Sequence, residues 1–242
     1  MRINFSKSIH LQFMIAVISC LQLTIAQPKI LLDLGINFAK PLDNFKGYRP
    51  AIGYTTFDES YGVFFGLGFN ANFKYAMGKQ RNSRLTTGLS TERFLNSSFS
   101  KDPNASSDNT DVRIHSLSIG YEYSALPKKV VNPYFGAGLS FNMMNAGYYW
   151  NGVSVDGKTE FRMGILADAG MDIRVNKNGG LIVGTKLHYA NLVGKTSDPT
   201  TLNRTNEIPL NDASYIYNRK TYDAINFIFL RFYLGYRFTL SK

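Results

Sequence analysis

The stretch Phe161-Arg162-Met163-Gly164-Ile165-Leu166-Ala167-Asp168-Ala169-Gly170-Met171-Asp172-Ile173-Arg174-Val175 decides the fold. Its odd positions are apolar throughout, whereas its even positions are Arg162, Gly164, Leu166, Asp168, Gly170, Asp172 and Arg174. A period of two sends alternate side chains to opposite faces of a strand. One face is therefore apolar from end to end, and the other carries charges and glycines. An earlier stretch repeats the pattern: Phe65, Leu67, Phe69, Ala71, Phe73, Tyr75 and Met77 alternate with Gly66, Gly68, Asn70, Asn72, Lys74 and Ala76. A soluble sandwich also alternates, so the strands alone leave two architectures open.

The connections separate them. Eight such segments run at about 29–39, 63–77, 83–95, 112–124, 133–144, 160–175, 180–193 and 224–240. The gaps between them hold 23, 5, 16, 8, 15, 4 and 30 residues, long and short in strict alternation. An up-and-down barrel in an outer membrane has this rhythm, with short turns on one side and long loops on the other. A sandwich has no reason to gather its long loops at one end. The segments also exceed the roughly five or six residues of an ordinary strand and suit a bilayer span with extensions. Closure follows from solvation, since lipid offers no hydrogen-bond partner to a sheet edge. Phe38, Tyr75, Phe94, Tyr121, Tyr123, Phe141, Tyr189 and Phe238 fall near strand ends, as girdles at the two membrane interfaces would. The prediction is an all-β, eight-stranded antiparallel transmembrane barrel over residues 27–242.

Residues 1–26 read as a signal peptide. Arg2 and Lys7 precede an apolar stretch from Leu11 to Ala26, and Thr24-Ile25-Ala26 places cleavage before Gln27. Val17-Ile18-Ser19-Cys20 resembles a lipoprotein box with Cys20 as the lipidated residue, but the apolar run continues through Leu21 and Ile25. Cys20 is the single cysteine, so an intramolecular disulfide framework and a Cys-rich zinc site are both excluded.

Charged residues make up 18 % of the 242 residues and aromatics 14 %, which excludes intrinsic disorder. The net charge of +10 comes from scattered residues and not from a Lys/Arg run, so no nucleic-acid partner is expected. Asp102, Asp108 and Asp111 lack the spacing of a calcium loop, and no phosphate-binding glycine motif occurs. Neither a cofactor nor a metal is expected.

Asn132-Pro133-Tyr134-Phe135-Gly136-Ala137-Gly138-Leu139 resembles the start of the fifth strand in small outer-membrane β-barrel domains of the opacity-protein and porin-like type, common in Bacteroidetes. Leu230-Arg231-Phe232-Tyr233-Leu234-Gly235-Tyr236-Arg237-Phe238 resembles the C-terminal signal read by the barrel-insertion machinery, although Thr239–Lys242 follow it. The resemblance implies the fold, an integral place in the outer membrane of a Gram-negative bacterium and the insertion machinery as a partner during biogenesis. It implies an activity less firmly.

On this parity the lumen gathers Asp33, Lys74, Glu92, Glu122, Arg162, Asp168, Asp172, Arg174, Lys186, His188, Arg231 and Arg237. In a barrel of eight strands such charges are expected to pair and fill the interior. The other reading is a charge-lined pore. His188-Tyr189-Ala190-Asn191 resembles the His-x-Ser-Asn stretch of outer-membrane lipid A deacylases, but Ala190 stands where the nucleophilic serine would be. No catalytic residue is therefore assigned, and the chain is not expected to be an enzyme. The inward glycines Gly66, Gly68, Gly136 and Gly138 are read as making room at a tight wall.

Tyr148, Tyr149 and Trp150 begin the third long loop. They read either as a girdle extension ahead of an Asn151-Gly152 hairpin turn or as a binding tip for a sugar or protein. The last loop, with Pro199, Asn203, Arg204, Pro209, Tyr215, Tyr217, Arg219 and Lys220, is long enough to fold over the mouth, and its cations suit lipopolysaccharide phosphates. The expected function is structural, adhesive or weakly porin-like, with a lipid-modifying barrel enzyme or a secretion-complex component as alternatives.

Overall fold

The computed structural model describes residues 29–46, 63–95, 109–150, 153–155, 157–176, 178–197, 210–217 and 219–240. The expected leader, 1–26, lies outside them. Eight long strands close the barrel: β1 (Lys29–Leu42), β2 (Phe65–Met77), β3 (Ser83–Leu95), β4 (Asn109–Ser124), β5 (Val131–Trp150), β7 (Glu160–Arg174), β8 (Gly179–Val193) and β11 (Ile228–Thr239). Each pairs antiparallel with the next, and β1 with β11 closes the seam from Leu31↔Thr239 to Leu42↔Ile228. The fold is the eight-stranded antiparallel barrel that the alternation predicts. Short additions lie at the long-loop end. β6 (Val153–Val155) turns back on the tip of β5, and β9 (Tyr215–Tyr217) pairs with β10 (Lys220–Tyr222) within the last loop.

The parity of each strand decides which residues meet lipid. Phe161, Phe69 and Leu89 on the outer wall are 71 %, 66 % and 62 % exposed, and Leu34, Ile119, Leu139, Leu181 and Leu234 continue the belt around the barrel. An apolar surface this continuous is not stable in water, and it fits a bilayer core as solvent. Aromatics border the belt at the short-turn end, where Tyr123 meets Phe135 at 5.4 Å and Tyr236 meets Phe238 at 4.9 Å between ring centroids. Phe94, expected in a girdle, instead points inward and is fully buried. It shares the even parity of Glu92 on β3, so strand register overrides its aromatic character.

The wall is narrow enough that inward glycines face one another on neighbouring strands: Gly35 with Gly235, Gly120 with Gly138, Gly170 with Gly184. A Cβ on Gly170 would stand 2.5 Å from the Tyr134 hydroxyl, and one on Gly184 would stand 2.5 Å from that of Tyr233. These two glycines create the space in which the tyrosines hydrogen-bond across the lumen. Gly66 has the same role toward the Phe94 ring, 2.7 Å from its would-be Cβ.

Candidate functional site: a filled lumen with two ends

At the short-turn end, six strands contribute one ionised side chain each to a closed ring. Arg237 binds Asp33 through two bonds of 2.6 and 2.7 Å. Asp33 meets Lys74 at 3.1 Å, Lys74 binds Glu122, and Glu122 accepts from Arg84 at 2.6 Å. Arg84 reaches Asp172 at 2.8 Å, and Asp172 returns to Arg237. Three carboxylates alternate with three cations, so the ring is neutral, and every member is buried. Buried charges are tolerable only when paired and hydrogen-bonded in this way. Asn132 donates to Asp172 at 2.9 Å, and the Lys74 ammonium lies 4.5 Å from the centroid of the Tyr134 ring.

Five of the six belong to the predicted lumen set. Arg84 does not, although it has the parity of Glu92 eight residues on. Standing one residue inside the strand, it reads in sequence as part of the turn. Arg174, expected in the network, lies at the mouth instead, exposed and donating to the Pro127 carbonyl at 3.1 Å. It is the last residue of β7, and the wall ends beside it.

Above the ring, Asp168 faces Lys186 at 3.7 Å. Higher still, Arg231 meets Glu92 at 2.7 Å, and Asn37 donates to the same carboxylate at 3.0 Å. At this level His188 Nε2 lies 2.7 Å from Ser140 Oγ, which also accepts from Asn142 at 3.0 Å. Ala190 removes one serine from reach of His188, and the fold supplies another that sequence spacing could not reveal. The dyad is fully enclosed, His188 Nδ1 has no hydrogen-bond partner, and Phe229 lies 4.9 Å from the imidazole. A substrate would have to displace the packing on both sides to reach it.

Toward the long loops the chemistry changes to an apolar plug. Phe94, Val112, Ile114, Met144 and Phe229 enter from the strands, and Phe45, Leu210, Ile225 and Phe227 enter from the connections. Phe45 packs between Phe94 and Phe227, each 4.8 Å away by ring centroid. Arg162, predicted for the lumen, clasps this lid. Its guanidinium donates to Asp212 at 2.8 and 2.9 Å and also binds Glu160. Asn191 donates to Asp212 at 2.8 Å and accepts from the Phe227 backbone at 2.7 Å. Asp212 was not singled out in sequence, because neither residue type nor spacing separates a docked loop from a solvated one, and Asn191 was read only as part of the His188-Tyr189-Ala190-Asn191 stretch. Leu210, Asn211, Asp212 and the stretch from Ile225 to Phe227 thus fold into the mouth, while Ile216 in the hairpin between them is exposed. Pro199, Asn203, Arg204 and Pro209 lie outside the described residues.

The backbone of Tyr148, Tyr149 and Trp150 forms the tip of β5, paired to Val155, Ser154 and Val153 of β6. Their side chains lie outside the described residues. On the outer wall just above the apolar belt, Asp111 binds Arg93 at 2.9 Å and Arg113 at 2.7 Å, with both guanidiniums more than half exposed.

No protein-family model matches the chain, and no curated protein does. Among solved structures, the outer membrane protein OprG from Pseudomonas aeruginosa is 8 % identical, covers 88 % of this chain and 96 % of its own, and superposes with a TM-score of 0.50. Neisserial surface protein A (NspA) is 17 % identical over 89 % of this chain and 98 % of its own, with a TM-score of 0.45. Ail, the attachment invasion locus protein of Yersinia pestis, is 13 % identical over 87 % of this chain and 97 % of its own, with a TM-score of 0.40. At these identities the likeness is one of fold: this chain is built like a small outer-membrane β-barrel.

Proposed function

We propose that this chain is an integral outer-membrane protein of a Gram-negative bacterium, a rigid plugged barrel that acts by binding through its external loops. The observation that carries this reading is the filled lumen. The ion ring, the tyrosine pair and the apolar plug occupy the lumen at successive heights among the described residues. Such a scaffold holds loops at one membrane surface, and binding groups concentrate on loops over rigid frames. The Arg93–Asp111–Arg113 cluster supports lipopolysaccharide as a neighbour, since it sets two exposed guanidiniums where lipid phosphates would lie. A protein partner at the loops and the insertion machinery during biogenesis complete the proposed contacts.

The test is single-channel recording of the refolded chain in planar bilayers. The proposal expects no steps from the native protein, nor from a Phe94→Ala/Phe229→Ala variant, in which the ion ring and the tyrosine pair still fill the lumen. Regular conductance from the native chain overturns it in favour of a pore. A change in lipid A mass in expressing cells, abolished by His188→Ala, overturns it in favour of an enzyme.

A further inference from the structure

We propose that the short-turn mouth of the barrel is a binding site for a small phosphorylated anion on the periplasmic side. The assignment of the side rests on the outer-membrane reading above; the site itself rests on geometry. A cavity of about 460 Å³ opens there between the turns at 78–82, 125–130 and 176–179. That volume falls within the range of roughly 300–1,000 Å³ typical of small-molecule sites.

The charge around this cavity is one-sided. Lys79, Arg81, Lys128, Lys129 and Arg174 form its rim, from three separate turns. Arg84 and Arg237 form its floor, together with Asp172, the sole carboxylate among the described lining residues. The floor is already balanced, because Asp172 is shared between Arg84 and Arg237 and these also hold Glu122 and Asp33. The ring therefore needs none of the rim lysines Lys79, Lys128 and Lys129. A concave site of one sign over a low-dielectric floor focuses its field on whatever enters.

A second observation points to a ligand. Arg84 Nε is buried and has no hydrogen-bond partner, whereas Nη1 of that guanidinium donates to both Glu122 and Asp172. A buried unmet donor is costly, and a small turn of the Arg84 side chain, which lines the floor, would present it to an anion oxygen. Cations converging from several directions suit a phosphate, whose oxygens face several ways. Leu31 and Val130 supply apolar wall beside them, which fits an organic body behind the anionic group.

The experiment is calorimetric titration of pyrophosphate into the full chain folded in non-ionic detergent, where both mouths are open. Saturable one-to-one binding is expected, weakened about tenfold or more in a Lys128→Glu/Lys129→Glu variant and abolished near 1 M salt, where screening acts within about 3 Å. An Arg93→Glu/Arg113→Glu variant at the other end should bind as the native chain does. Lys79→Ala gives a second, milder test, and retention of the unboiled gel shift confirms that each variant is folded. No saturable binding, equal weakening by the long-loop variant, or tighter binding of a hexaglutamate peptide than of pyrophosphate would each overturn the proposal. The side is read separately, by labelling Lys128→Cys in a Cys20→Ser background with a membrane-impermeant maleimide. Label that appears only after the outer membrane is permeabilised supports the periplasmic placement. Label in intact cells overturns that placement and leaves the calorimetric result standing.

Discussion

At the short-turn end the barrel wall encloses three carboxylates and three cations in a ring, whereas at the long-loop end the same wall encloses phenylalanines and aliphatic side chains. The ring is made wholly from strand residues, one from each of six strands. The plug borrows Phe45, Leu210, Ile225 and Phe227 from the connections. The difference teaches which part of the lumen each device can fill. Strands in fixed register deliver charges to set heights, so a neutral cycle can be written into them residue by residue. Loops can move, so they suit an interior that needs volume and not exact pairing.

Deleting one charge should break the comparison most visibly. Asp172→Ala removes the carboxylate that the buried Arg84 and Arg237 share, leaving each with one partner, and a loss of about 3 kcal/mol is expected, read by urea unfolding in detergent. A loss under 1 kcal/mol would mean that water reaches the ring and that the two halves do not differ as described. Leu210→Ala should cost less, about 2 kcal/mol, because the loop that carries it can settle into part of the cavity. If the same unfolding assay gave it a larger loss than Asp172→Ala, the plug and not the ring would hold the barrel together. Arg93→Ala provides the baseline. Its ion pair is exposed on the outer wall and should contribute no more than about 1 kcal/mol, within the scatter of that assay.

How much of this was legible follows from the same division. Parity placed Asp33, Lys74, Glu122, Asp172 and Arg237 in the lumen, because the period of two survives along a whole strand. It would also have placed Arg84 and Phe94, had parity been carried to the strand ends against the pull of turn chemistry and aromatic character. Which charges touch was not legible, since cross-barrel distance depends on stagger between strands. The Ser140–His188 dyad and the Arg162–Asp212 clasp were hidden for this reason, with 48 and 50 residues between their members. The plug was the least legible part. Nothing in Leu210 or Ile225 distinguishes a loop residue that docks from one that stays in solvent.

The seam has a consequence for assembly. Asp33 and Arg237 are direct partners across β1 and β11, 204 residues apart, and their two hydrogen bonds exist only in the lumen-facing register. If the last strand closed on the first one residue out of step, its inward and outward sets would exchange. Arg237 would then face the lipid near the interface, at a cost of up to about 1 kcal/mol, and Asp33 would keep only Lys74 of its two counter-charges. The pair thus works as a proofreading contact: a barrel zipped in the wrong register carries a penalty at its own seam and is free to reopen before it is sealed.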